Sequence, residues 1–143
     1  MTQRLTKVAP SSMYQIETDQ WSEPYWKAAA EHRLVLPRCT HCGTFRMPAP
    51  FCHECQSQDI VWVEQSGDGA IYSFSVVDYP VISAVKESLP YVPALIELAD
   101  APGVRLISNV VDSLVDDIAI GAQVSLTWQD IEGGSIPRFR LKG

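Results

Sequence analysis

Arg38 to Ile60 reads RCTHCGTFRMPAPFCHECQSQDI. Within it Cys39-Thr-His-Cys42 and Cys52-His-Glu-Cys55 form two C-x2-C pairs separated by nine residues. Zinc takes four ligands in a tetrahedron, with Zn–S bonds of about 2.3 Å, and each C-x2-C turn offers two thiolates on one side of a tight loop. Two such knuckles complete the shell, so Cys39, Cys42, Cys52 and Cys55 are the expected metal ligands and Zn²⁺ the expected cofactor. Binding free energy at such a site is folding free energy for a segment too short to build its own core. With four sulfurs present no coordination position stays open, so the metal is expected to be structural and not catalytic.

Other readings of the same residues compete. Rubredoxin-like iron uses the same four sulfurs, and spacing does not separate it from zinc. A dithiol redox centre explains one pair and not two. Disulfides fit the even count but not a reducing compartment. His41 and His53, inside the knuckles, read as solvent-facing loop residues. Four thiolates and Zn²⁺ leave a local charge of about −2, which Arg38 and Arg46, flanking the first knuckle, are placed to offset; both also read as plain supports of the ribbon.

Upstream, residues 1–20 are polar and without periodicity and are expected to form a mobile tail. Residues 21–36 read as a helix: Ser22 suits the cap, Pro24 the first turn, and Ala28, Ala29 and Ala30 have high helix propensity. Pro37 is expected to stop any continuation. Trp21, Tyr25, Trp26 and Ala29 fall on one face as an aromatic stripe. A ribbon over 37–61 follows. Over 62–143 the pattern changes to short strands. Ala70–Val77 is rich in β-branched and aromatic residues, and Val92–Leu98, Val104–Val110 and Val124–Trp128 alternate apolar and polar positions. Arg138–Leu141 follows the Gly133-Gly134 turn. Asp112–Gly121 is long enough for one helical turn between the third and fourth strands. Five strands with that insertion match an OB-fold barrel. The fold class is therefore mainly β with an N-terminal helix, a rubredoxin-like zinc ribbon and a five-stranded OB-fold barrel.

The full chain of 143 residues suits one domain or two small modules, with 46% hydrophobic and 20% charged residues. Its formal charge of −6 opposes nucleic acid and anionic membranes. The charge is uneven. Residues 1–61 carry six basic and six acidic residues, whereas residues 62–143 carry five and eleven. An oligonucleotide-binding groove would be basic, so the acidic barrel argues against a single-stranded nucleic-acid binder, the alternative that ribbon and OB modules invite. No apolar run suits a signal peptide or a membrane span, and the expected compartment is the cytoplasm. G-x-S-x-G, P-loop, H-E-x-x-H and G-x-G-x-x-G patterns are absent from the sequence.

Several stretches occur in a recognisable order: Tyr25-Trp26, Arg33-Leu34-Val35-Leu36-Pro37-Arg38-Cys39, the two knuckles, Gly69–Val77, Pro90–Leu98 and Ile136-Pro137-Arg138-Phe139. This ordered set resembles the zinc-ribbon/OB-fold family catalogued as domain of unknown function thirty-five, over about Trp21 to Arg140. Gln56 departs from that pattern, standing where glycine is common. The resemblance implies a small accessory subunit of a thiolase-like enzyme (a thiolase, a hydroxymethylglutaryl-CoA synthase or a retro-aldolase), or else of a hot-dog-fold enoyl-CoA hydratase. It also implies that the subunit holds the complex together and receives or passes acyl-CoA, with a coenzyme A thioester as its ligand. On this reading Trp21, Tyr25, Trp26, Arg38 and Arg46 are the candidate contacts with partner or acyl-CoA. The stripe reads equally as a helix face packed on its own ribbon or barrel. The long loop Asp78–Tyr91 reads as a partner contact or a surface connection. Arg138 and Arg140 are expected to pair with the barrel's own acids.

Overall fold

The computed structural model describes residues 4–143. The aromatic-and-alanine segment forms helix α1, Glu23–Ala30. Its N-terminus is organised by Asp19, whose Oδ1 accepts from the amides of Trp21 (3.0 Å) and Ser22 (2.8 Å), while Ser22 Oγ accepts from the Asp19 amide at 3.1 Å. Ser22 holds the N-cap position, as expected, but its hydroxyl makes no bond into the helix; Asp19 closes the turn that leads into it. The helix ends at His32, which holds a left-handed φ of 58°, with its amide on Ala29 O and the next amide, Arg33, on Ala28 O. That is a Schellman termination with histidine in place of the usual glycine. Pro37 is not the stop and lies instead inside the first strand.

Strands β1 (Val35–Cys39) and β2 (Ile60–Glu64) pair antiparallel from Val35↔Glu64 to Cys39↔Ile60, and the knuckles hang from their open end. The ribbon sheet thus begins two residues before the expected 37 and runs three beyond 61. The five barrel strands are β3 (Asp68–Phe74), β4 (Val92–Leu98), β5 (Arg105–Val110), β6 (Gln123–Ile131) and β7 (Gly134–Leu141). They close in the order β3-β4-β5-β7-β6, as an OB barrel requires. The β5–β7 seam is parallel, through Val110↔Phe139. A single 3-10 turn, Val115–Asp117, occupies the β5–β6 connection.

Alternation sets the core. Val92, Ala94, Ile96 and Leu98 point inward with Leu106, Val110, Val124 and Phe139. Tyr25, Leu34 and Leu36 join the same cluster, so helix and ribbon are packed onto the barrel and not merely tethered to it. Fully burying such side chains contributes roughly 1.5–3 kcal/mol each.

The N-terminal segment departs from the expected mobile tail. Thr6 is 1% exposed. Its amide donates to Ser113 O and its carbonyl accepts from Asp112, while Lys7 donates to Pro90 O and Val115 to Arg4 O. Further along, Gln129 Nε2 donates to Ala9 O at 3.0 Å. The segment is a strap across the barrel. Its own lack of periodicity hid it, because it is anchored through backbone groups and one buried threonine. Residues 1–3 of the expected tail lie outside the described residues.

Candidate metal centre

The two knuckles are built alike. In the first, the Cys39 amide donates to Thr44 O and the Gly43 amide to Cys39 O; in the second, Cys52 donates to Ser57 O and Gln56 to Cys52 O. Gly43 and Gln56 hold the left-handed φ that closes each turn, 77° and 62°. This geometry brings the four sulfurs within 4.8 Å of one another, with Cys39–Cys55 at 3.6 Å and Cys42–Cys52 at 3.5 Å. A tetrahedron with 2.3 Å metal–sulfur bonds has edges of about 3.8 Å, so the cluster fits Zn²⁺. These separations are far from the ~2.05 Å of a disulfide. None of the four cysteines is joined in a disulfide.

The environment of the sulfurs is uneven. Cys42 Sγ lies 3.2 Å from Thr44 Oγ1. Its pKa is held down to about 6, first by that hydroxyl and then by the Thr44 amide. The Glu54 amide donates to Cys52 Sγ at 3.4 Å. Cys55 is pushed up to about 12: the Ser57 amide draws it down, but the Cys39 sulfur, burial and the other two sulfurs outweigh it. Four thiolates this close need a cation, and a bound divalent metal supplies the charge that makes the shell consistent. Cys39 and Cys52 are each 1% exposed and form the inner side of the site.

The flanking arginines serve the ribbon. Arg38 Nε donates to Gly43 O at 3.2 Å, steadying the first knuckle, and its guanidinium lies 5.7 Å from the Phe45 ring centre. Arg46 is buried, with Nη2 on Ala49 O at 3.2 Å and with Nε and Nη1 lacking a partner among the described residues. His41 and His53 are exposed, as expected; His41 Nε2 lies 3.0 Å from Asp59 Oδ2.

The aromatic stripe divides. Tyr25 is buried and meets Trp26 edge-on, with ring centres 4.9 Å apart. Burial pushes the Tyr25 phenol up to about 12. Trp26 is half-buried, and with Met47, Ile107 and Ile136 it lines an open cleft of about 290 Å³ between helix, ribbon and barrel. Trp21 is 37% exposed. The sequence carried one unread sign of this cleft: Ile107 alternates with the inward Leu106 and Ser108, so an apolar residue faces outward, 77% exposed.

The loop between Asp78 and Tyr91 is closed at its base by two backbone bonds between Val77 and Tyr91. It carries a short 3-10 helix, Ser83–Ser88, with Val85 buried, while Tyr79, Val81 and Ile82 are exposed. Arg140 pairs with Asp112 at 3.7 Å, as expected. Arg138 does not pair with an acid. Its Nε donates to the neutral Gln129 Oε1 at 2.9 Å and its guanidinium lies over the Tyr14 ring. Pairing with one of the barrel's own acids is the expectation; register instead places Thr127 opposite Arg138.

Comparison with known proteins gives a consistent picture. The family model described as "ChsH2, rubredoxin-like zinc ribbon domain" matches residues 26–61, and the model described as "ChsH2, C-terminal OB-fold domain" matches 62–129. A "DUF35 domain-containing scaffold protein" of Methanocaldococcus jannaschii is 33% identical over 110 residues, covering 75% of this chain and 76% of that one. A "Probable enoyl-CoA hydratase alpha subunit" of Thermomonospora curvata is 40% identical over 118 residues, 81% of this chain; the chain spans only 36% of that relative's length. Among solved structures, the "Ltp2-ChsH2(DUF35) aldolase" aligns with a TM-score of 0.77 and 36% identity, covering 89% of this chain and 98% of the matched chain. No helix among the described residues is long and apolar enough to cross a membrane.

Proposed function

Since the chain belongs to the DUF35 family of ChsH2-type zinc-ribbon and OB-fold proteins, we propose that it is a non-catalytic subunit that pairs with a thiolase-fold enzyme and assists the binding or transfer of acyl-CoA. The observation that carries this reading is the 36% identical match over nearly the whole of a chain from an aldolase complex. The metal centre agrees with it: a four-sulfur shell offers no open position for chemistry. Relatives named scaffold proteins point the same way.

The partner-facing surface we assign to Trp21, Trp26 and the cleft beside Ile107, together with the exposed apolar residues of the 78–91 loop. Buried aromatic anchors dominate the energetics of most interfaces, and Trp26, half-exposed on a rigid helix, has the right disposition. Tyr25 contributes indirectly, by fixing the angle of Trp26. Arg38 and Arg46 hold the ribbon that forms one wall.

A second reading, a subunit of a hot-dog-fold enoyl-CoA hydratase, is favoured by the Thermomonospora curvata relative. That relative's name attaches to a protein almost three times the matched length, so the thiolase-fold reading leads.

Co-expression with candidate thiolase-like and hydratase proteins, followed by size-exclusion chromatography, distinguishes the two. We expect co-elution with the thiolase-like protein, lost when Trp26→Ala and Ile107→Asp are combined. Independent elution from it at micromolar concentration overturns the leading reading, and co-elution with the hydratase alone replaces it with the second.

A further inference from the structure

The strap and the β6–β7 hairpin enclose a groove of about 180 Å³ whose lining includes Lys7, Arg138 and Arg140 but a single carboxylate, Asp112. Three cations converge here on a barrel whose half of the sequence is strongly acidic. Arg138, Arg140, Thr127 and Gln129 share one face of the hairpin, since Thr127 is the direct cross-strand partner of Arg138.

Arg138 is the centre of the groove and is 5% exposed. Its one side-chain hydrogen bond to the barrel runs to a neutral amide oxygen, and Nη2 has no partner among the described residues. Burial holds its pKa below the ordinary value, opposed by the nearby Tyr14. Leaving a charged donor buried and unpaired is costly, on the order of 1–3 kcal/mol or more. Arg140 is already engaged by Thr127 Oγ1 at 3.0 Å and by Asp112. Arg138 therefore keeps its positive charge in a groove whose one carboxylate, Asp112, is taken by Arg140.

We propose that this groove is a binding site for a phosphate group, either free or as a monoester, held by Arg138 at its base with Lys7 and Arg140 at its mouth. Guanidinium forks match phosphate oxygens in pairs, and three cations set against one carboxylate suit a dianion better than a single carboxylate ligand. The strap supplies Lys7 and, through Ala9 O, fixes Gln129, which in turn orients Arg138. This inference is independent of the partner assignment above, because it needs no second chain.

The test uses the full chain at low ionic strength, where such contacts are strongest. Inorganic phosphate, glycerol phosphate and adenosine monophosphate are titrated separately, with chloride as the control, following the Tm and the Arg138 side-chain N–H resonance. We expect a saturable response with at least one phosphate. It should weaken about tenfold or more in Lys7→Gln/Arg140→Gln, whose exposed positions leave the Tm without phosphate nearly unchanged. Arg138→Gln should abolish the response if the variant folds; the double variant carries the test if it does not. Stronger binding of the monoesters identifies a phosphate borne on a larger molecule, and equal binding identifies a free-phosphate site. No saturable response to any of the three, or an unweakened one in the double variant, overturns the proposal.

Discussion

Gly43 and Gln56 do the same job in the two knuckles, and only one of them is suited to it. An L-residue in the left-handed region pays about 1–2 kcal/mol, which glycine avoids at the expense of a more flexible unfolded chain. Gln56 is exposed and makes the closing bond through its backbone, so its side chain is dispensable. Gln56→Gly is therefore expected to stabilise the second knuckle by about 0.5–1 kcal/mol and to slow the loss of zinc to a chelator. Faster metal release in that variant would show that the φ of 62° is not strained. At this scale the sequence was most readable where chemistry demands a fixed set of atoms: four thiolates at two spacings identify themselves. The parts played by Asp19 before the Ser22 cap and by His32 at the helix end were not readable, because both depend on where the backbone turns. Arg138 was misjudged for a related reason. The barrel half of the sequence carries eleven acids, but register across the hairpin decides which group Arg138 meets.

The elements differ in what holds them. Between Cys39 and Gln56 the buried residues are the two inner cysteines and Arg46, with almost no apolar core. Leu34 and Leu36, at the start of β1, are instead set in the barrel's own cluster. Metal binding thus carries the knuckles, and hydrophobic burial carries the helix and the strand root. Chelating the metal, or substituting Cys39→Ser, is expected to open amides 40–58 to hydrogen exchange while those of residues 34–36 and the barrel stay protected. Unchanged protection in the knuckles after confirmed metal loss would contradict this. The strands were legible because one face of each is buried and period-two alternation follows directly. Their lengths were not: β6 and β7 extend to the Glu132-Gly133 turn through polar residues such as Thr127, which meets Arg140, and Gln129, which meets the strap at Ala9 O, and alternation carries no signal for a face covered in this way.

At the scale of the whole molecule, that strap is the least predictable and most consequential feature. It joins Arg4–Lys7 to Pro90 and to the Asp112–Val115 connection by four backbone bonds, and buries Thr6, whose Oγ1 accepts from the Ser113 amide at 3.2 Å. Ser113 in turn donates to Val111 O and accepts from the Leu141 amide, so one polar chain links the strap to the end of β5 and the end of β7. The Arg4–Asp78 ion pair adds the base of the long loop to the same arrangement. The net gain of about 0.5–1.5 kcal/mol per hydrogen bond is largely offset by the entropy of ordering the segment, so the strap's contribution is on the order of 1–2 kcal/mol. Deleting residues 1–8 is then expected to lower the Tm of the metal-loaded chain by roughly 5–10 °C and to expose the Ser113 and Asp112 amides to exchange, with the zinc content unaltered. The metal readout separates the two ends of the molecule: if zinc is lost along with the strap, ribbon and strap are coupled through the barrel. An unchanged Tm would mean that the strap rests on the barrel without supporting it, and the groove beneath Lys7 would then be assembled only when its ligand arrives.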